Sequence, residues 1–282
     1  LFQGWWHPKM DDVLTISKVD AAIWDLAGKL LNQPVWRLLG GARDRVRAYG
    51  AGGMYQRDKG IAELVGEMVG FVEAGFRAVK LKVAGAPFEE DVARVKAVRE
   101  AIGPAVDLMV DANHAWTPPE AIQFARAIAD YRPFWLEEPV SPWDYRGCAE
   151  VARALDIPVA TGENVSTRYA FRDMIDARAA DVIQADALYC GGVTEWRKIA
   201  AYAAAHNLPV APHGNAHVGA ACVGGTPNGL IVEMGMYAGR VAPRPPIVRP
   251  VSVTDGFIAL SDEPGFGYVV DRDAIRWNLE HP

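Results

Sequence analysis

The sequence predicts an α/β protein built as a closed barrel of parallel strands. Three observations carry that prediction. From about Arg47 onward, short β-branched runs alternate with longer stretches of helical periodicity. Seven of the strand-like runs end in an ionisable side chain. The intervals between those side chains are 29, 26, 26, 23, 27 and 20 residues, close to one βα unit of an eight-unit barrel of ~250 residues. No glycine-rich phosphate loop follows the first strand, which weighs against an open nucleotide-binding sheet.

The elements follow in order. Val13 to Leu31 reads as an amphipathic helix with Val19, Ala22, Ile23, Leu26 and Leu30 on its apolar side, and Gly40-Gly41 leads on into the repeat. Ala78 to Val83 is a strand, and Glu89 to Glu100 carries Val92, Val95 and Val98 at helical spacing. Asp107 to Asp111 is the next strand. Thr117-Pro118-Pro119-Glu120 then opens a helix, with Thr as N-cap and Pro at its first position. The runs 134–137, 158–163, 182–186, 209–213 and 230–233 continue the series, with a helix over Val193 to His206. A proline-rich passage (Pro243, Pro245, Pro246, Pro250) and strand-like pieces around Gly265 and Gly267 form a tail expected to pack outside the barrel.

Composition narrows the class. The 282 residues are 50% hydrophobic and 23% charged, enough for a large core and incompatible with a disordered or collagen-like chain. A net charge of -6 argues against a nucleic-acid partner. No apolar run reaches the ~18–20 residues of a membrane helix, so no membrane partner is expected. Leu1 to His7 holds no secretory pattern, and Leu1-Phe2-Gln3-Gly4 reads either as a protease-site scar or as native sequence. Cys148, Cys190 and Cys222 are odd in number and lack CxxC spacing, which fits reduced thiols in a cytoplasm.

The ionisable strand ends are Lys82, Asp111, Glu137, Glu163, Asp186, His213 and Glu233. All C-terminal strand ends of such a barrel open on one mouth. Any single carboxylate there serves as well as a cap for the following helix. Three of them on adjacent strands (Asp111, Glu137, Glu163) cannot all ionise side by side without a cation, and an all-oxygen set points to Mg²⁺ rather than Zn²⁺. Glu138 is expected to point the other way, into a structural ion pair. Asn113 reads equally as a turn residue and as a donor to a substrate oxygen. Lys80 and Lys82 share a strand face, ~6.6 Å apart. Their repulsion of about 2.5 kcal/mol at an effective dielectric of 20 is expected to lower Lys82 from ~10.4 toward a neutral base, with Lys80 staying charged. Asp186 and His213 end consecutive strands, so the carboxylate can orient the imidazole. Glu233 is a candidate hydrogen-bond donor to developing negative charge. His7, His114, His206, His217 and His281 are read as structural.

The segments Lys80-Leu81-Lys82, Asp111-Ala112-Asn113, Trp135-Leu136-Glu137-Glu138-Pro139, Gly162-Glu163-Asn164, Asp186 with Gly191-Gly192-Val193-Thr194, and Pro212-His213 resemble the enolase superfamily, specifically its mandelate racemase subgroup. The resemblance runs from about Val13 to Val270. It implies a TIM-type (β/α)7β barrel over residues 46–238. Residues 1–45 are then the remnant of an α+β capping domain, and 239–282 a C-terminal segment packing with it. It implies Mg²⁺ ligands at Asp111, Glu137 and Glu163, a Lys82 base on one face of the substrate and a His213–Asp186 dyad on the other. Lys80 and Glu233 would stabilise the enediolate oxygens. Subgroup members with both a lysine and a His–Asp dyad are mostly dehydratases of acid sugars giving 2-keto-3-deoxy acids. That is the expected chemistry, with racemisation or epimerisation of a 2-hydroxy acid second. The branches with a lysine in place of Asp186, cycloisomerases and dipeptide epimerases, rank lower. A catalytically silent barrel and a zinc hydrolase are the readings from other classes. The hydrolase needs a His-x-His that Ala48 to Gly52 lacks. The resemblance also leaves most of the cap unaccounted for, so the chain is expected either to be a fragment or to be covered otherwise, with exposed apolar surface and self-association as a homo-oligomer.

Overall fold

Alternation of inward and outward side chains, the period-two signature of a strand, builds the barrel. The computed structural model describes residues 10–235 and 251–280. The expectations for Leu1–Gly4, His7, the four prolines at 243–250 and His281 lie outside those residues, as does the boundary at 238/239. Strands β1 (Arg45–Ala51), β2 (Ala78–Lys82), β3 (Asp107–Asp111), β4 (Trp135–Glu137), β5 (Val159–Thr161) and β6 (Val182–Ile183) pair in parallel in chain order, and β7 (Val232–Gly235) returns to β1. Between β6 and β7 the ladder is carried by one residue. Val210 bridges Ile183 on one side and Gly229 on the other, closing the circle.

The later strands are shorter than the sequence suggests, and the reason is local. Pro158, Pro209 and Pro212 lack the N–H a ladder requires, and Gly162 turns the chain out of β5 with a φ of 135°. Each of the first seven strand positions is followed by a helix: α3 (Ile61–Glu73), α4 (Phe88–Ile102), α5 (Pro118–Ile128), α6 (Tyr145–Ala154), α7 (Thr167–Asp176), α8 (Val193–Ala205) and α9 (Ala216–Gly225). At α5 the expected start holds: Thr117 is the N-cap, and its backbone N–H donates to the Glu120 carboxylate at 2.8 Å.

Two cores result. Tyr49, Ala51, Ala78, Met109, Trp135, Ala160, Val182, Ala211 and Ile231 fill the inside of the barrel. Their outward neighbours, such as Val79, Leu81, Leu108, Val110, Leu136 and Ile183, pack under the helices against Leu64, Phe71, Val95, Val98 and Phe124. Each fully buried aliphatic side chain contributes about 1.5–3 kcal/mol. The inward register of β2, β3, β4 and β7 continues upward into Lys80, Lys82, Asp111, Glu137 and Glu233, so hydrophobic alternation itself aims the polar groups at the mouth.

Outside the barrel, α1 (Met10–Leu30) and α2 (Val35–Leu38) precede β1, while β8 (Phe257–Ala259) pairs antiparallel with β1 and α10 (Arg272–Glu280) ends the chain's described part. The tail docks on the first two helices: the Phe266 N–H donates to Asp25 at 2.9 Å, Val35 N–H to the Gly265 carbonyl at 2.8 Å, and the Trp36 indole to the Ser261 carbonyl at 2.9 Å. The apolar stripe of α1 is not what faces the barrel. Val19, Ile23, Leu26 and Leu30 are exposed, whereas Val13, Ser17, Asp20 and Ala21 are buried.

Candidate active site

The mouth gathers ionisable residues from seven strand positions. Lys80, 1% exposed, donates to Glu137 and lies 3.2 Å from Asp111 Oδ2 and 3.5 Å from Glu233 Oε2. Lys82 Nζ stands 2.5 Å from the same Asp111 oxygen. The repulsion expected between the two lysines is therefore bridged by a shared carboxylate, which strand spacing alone left out of the account. Glu137 also accepts from the Trp135 indole at 2.8 Å, and Glu233 from the Tyr49 hydroxyl at 3.0 Å. Asn113 sits in a left-handed turn with a φ of 41°, and its backbone N–H donates to Asp111 Oδ1 at 2.9 Å. The turn reading of that residue is thus met by its backbone.

Ligand atoms of Asp111, Glu137 and Glu163 lie within 4.8 Å of one another. Beyond Glu163, His213 Nε2 is 3.6 Å from its Oε2, and His213 Nδ1 is 3.0 Å from Asp186 Oδ2. The second oxygen of Asp186 accepts from the Leu188 N–H at 2.7 Å. Lys82 on β2 and the His213–Asp186 pair beyond β5 thus flank the carboxylate triad from two sides.

Electrostatics divides the labour. Burial works against a charged Asp111, but Lys80 and Lys82 outweigh it and hold the carboxyl well below the ordinary range. Burial, then repulsion from Asp111, pushes Glu137 well above it. Burial works against a charged Lys80 too, yet Glu137 and Glu233 hold it well above the usual lysine value. Burial pulls His213 down, but its bond to Asp186 and the charges of Glu233 and Glu163 raise it to about 9. A triad in which burial and mutual repulsion push Glu137 upward, and in which Glu163 Oε2 is buried with no hydrogen-bond partner among the described residues, is a donor set short of positive charge. Three hard oxygen donors fit Mg²⁺.

Two expectations need correction. Glu233 enters as an acceptor, not a donor: burial opposes its ionisation, but Lys80 and His213 overcome this and lower it. Glu138 finds no ion pair among the described residues. It accepts from Asn164 Nδ2 at 2.8 Å, and burial together with nearby Glu163 pushes it up to about 7. Its backbone φ of 40° turns it out of the ladder toward Asn164, while both lysines face inward. Sequence reasoning gave no role to Tyr49, Trp135 or Asn164. It also missed Gln184, which alternates with Val182 and Asp186 and is fully buried with neither amide atom partnered. The signal available was register: Tyr49 and Trp135 lie on the inward parity of their strands.

The sequence profile of the family described as enolase C-terminal domain-like matches residues 62–274. The chain is 35% identical over 271 residues to the arabinonate dehydratase of Saccharolobus solfataricus, covering 92% of this chain and 70% of that protein. It is 38% identical over 263 residues to the 3,6-anhydro-alpha-L-galactonate cycloisomerase of Streptomyces coelicolor, with 92% and 70% covered. The crystal structure of a racemase from Streptomyces coelicolor with bound magnesium superposes with a TM-score of 0.87 at 35% identity, over 94% of this chain and 72% of that one.

Proposed function

The chain belongs to the enolase C-terminal domain-like family, and from that premise we propose that it removes the proton α to a carboxylate of an aldonate or aldarate and expels the β-hydroxyl, giving a 2-keto-3-deoxy acid. The observation that carries the reading is the pair of proton-transfer groups, Lys82 and His213–Asp186, on two flanks of one carboxylate triad. A relative at 35% identity acts as an arabinonate dehydratase, which supports an acid sugar as substrate.

Asp111, Glu137 and Glu163 would hold Mg²⁺, which when bound supplies positive charge against the substrate carboxylate and so acidifies the α-proton. The chain's own residues do the rest. Lys82 takes the α-proton. Lys80, kept charged by its carboxylate neighbours, donates to the enediolate oxygen, and Tyr49 fixes Glu233 beside it. His213, raised to about 9, is protonated at neutral pH and gives its Nε2 proton to the departing hydroxyl. Asp186, 3.0 Å from its Nδ1, orients the ring. Asn113 is the candidate contact to a substrate hydroxyl. This concentration of cationic groups also draws an anion to a protein of net charge -6. No described helix is long and apolar enough to cross a membrane, and three buried free cysteines support a reducing, cytoplasmic setting.

The test is a panel of aldonates and aldarates incubated with Mg²⁺ and assayed for 2-keto acids. Product from at least one, lost in Lys82→Ala and in His213→Asn, is the expected outcome. Inversion without loss of water would move the assignment to the racemase reading, which the racemase relative favours. Neither reaction on any acid would refute both.

A further inference from the structure

Helix α8 opens on a glycine. Its N-cap is Gly192, which has no side chain to accept from the first turn's free N–H groups. Those acceptors come instead from α1. Asp20 Oδ2 accepts from the Thr194 N–H at 2.9 Å, and Ser17 Oγ from the Gly191 N–H at 2.9 Å. The Trp24 indole donates to Thr194 Oγ1 at 2.8 Å. Asp20 is buried, has no ion-pair partner among the described residues, and presents its charge to the positive end of α8. Gly192 has a φ of 101°, and a Cβ there would collide with the Asp20 carboxylate, so glycine at that position is what admits it.

The segment clamped in this way is the one that carries Asp186. From Asp186 to Cys190 the chain forms a single tight turn: the Asp186 carbonyl accepts from Tyr189 N–H at 3.0 Å and from Cys190 N–H at 2.7 Å. Its carboxylate accepts from Leu188 N–H, and the Cys190 carbonyl from Thr167 N–H at 2.9 Å. One residue further on, α1 takes hold. The position of the Asp186 carboxylate, and through it of the His213 ring, is therefore tied to α1 by a short hydrogen-bonded chain. Lys80, Lys82 and the carboxylate triad lie on β2, β3, β4 and just past β5, and among the described residues their hydrogen bonds come from the barrel rather than from α1. We propose that Asp20, assisted by Ser17, is a positioning residue for the His213–Asp186 dyad, so that α1 sets the proton-donating side of the site independently of its metal-holding side. This rests on the reading of His213 as the acid that protonates the leaving hydroxyl.

The test compares Asp20→Ala, Asp20→Asn and Ser17→Ala in the Mg²⁺-loaded protein. Asp20→Ala is expected to lower kcat for elimination about tenfold, in line with the cost of a misplaced catalytic group. KM, the dissociation constant for Mg²⁺ and the rate of α-proton exchange into deuterated solvent are expected to stay within about twofold. Asp20→Asn keeps an oxygen acceptor for Thr194 and restores kcat. Ser17→Ala falls between. Should Asp20→Ala fail to fold, the Asp20→Asn and Ser17→Ala pair decides by the same readouts. The His213 Nδ1 proton, followed by NMR on ¹⁵N-histidine protein, is expected to shift in Asp20→Ala and return in Asp20→Asn. An unchanged kcat and an unshifted resonance would overturn the proposal. So would elimination, exchange and metal affinity falling together, which marks general loosening. If the wild-type chain eliminates nothing, the acid-sugar reading has failed, and the imidazole resonance alone then decides whether Asp20 positions the dyad.

Discussion

Withdrawing the divalent cation is the perturbation that exposes the site's charge balance, and its effect depends on pH with a definite sign. Without the cation, Glu137 is pushed well above the ordinary carboxylate value, Glu138 to about 7 and His213 to about 9. All three bind a proton more tightly folded than unfolded. The stability they confer is complete below the unfolded values, 4.5 for glutamate and 6.5 for histidine, and is lost as pH rises through the folded ones. For Glu138 the loss is about 3 kcal/mol, and for His213 again about 3 kcal/mol. Both groups face Glu163, so the losses are not additive. Together the metal-free protein should lose on the order of 5 kcal/mol between pH 5 and pH 9. Mg²⁺ competes with protons for the triad's carboxylates, so its stabilisation is expected to grow over the same range. A hundredfold excess over the dissociation constant adds about 2.7 kcal/mol, or roughly 5–10 °C in Tm for a chain of this size. Thermal unfolding in Mg²⁺ and in chelator at pH 5, 6.5 and 8 measures this directly. A metal effect near zero at pH 5 that rises to several degrees at pH 8 is expected. A shift equal at all three values, or a metal-free protein that gains stability toward pH 9, would contradict this charge balance.

Three further substitutions probe the same frame. Glu138→Gln removes the carboxylate that burial and Glu163 push to about 7, so at pH 8 the metal-free protein should gain up to about 3 kcal/mol. In chemical denaturation the gain should vanish by pH 5. Gly162→Ala places a methyl 2.9 Å from Phe171 and 3.2 Å from the Gln184 backbone at a φ of 135°. It should cost about 1–3 kcal/mol and, by displacing Glu163, weaken Mg²⁺ in calorimetry. Lys80→Met leaves Glu137, Asp111 and Glu233 without their shared cation and should cost about 3–5 kcal/mol in the metal-free protein. That cost should shrink in Mg²⁺ while turnover stays abolished.

How far the sequence could be read follows from which forces are local. The inward parity of β2 and β3 is written in Lys80-Leu81-Lys82 and Leu108-Met109-Val110-Asp111, so the residues at the mouth were legible from period two alone. The start of α5 was legible because Thr117 and Glu120 interact across three residues. Distant pairings were not. That Asp111 would bridge both lysines depends on the β2–β3 register, and that Glu138 would meet Asn164 rather than a cation depends on a left-handed backbone at 138. The first helix was legible as amphipathic, but what its barrel side carries was not: that side takes Ser17 and Asp20, the polar acceptors that a glycine-capped α8 lacks in its own sequence. The strand at Val210 shrank to a bridge for a reason visible in the sequence, the prolines on either side of it.

The proposed elimination depends on a cation-holding triad that lets Lys82 remove an α-proton. Exchange of that proton in deuterated water, followed by NMR on an acid sugar that the chain turns over, tests it most directly. Deuterium at the α-carbon of the recovered substrate is expected with Mg²⁺, and is abolished by chelator and by Lys82→Ala. Exchange that persists without the metal, or that survives loss of Lys82, would contradict it.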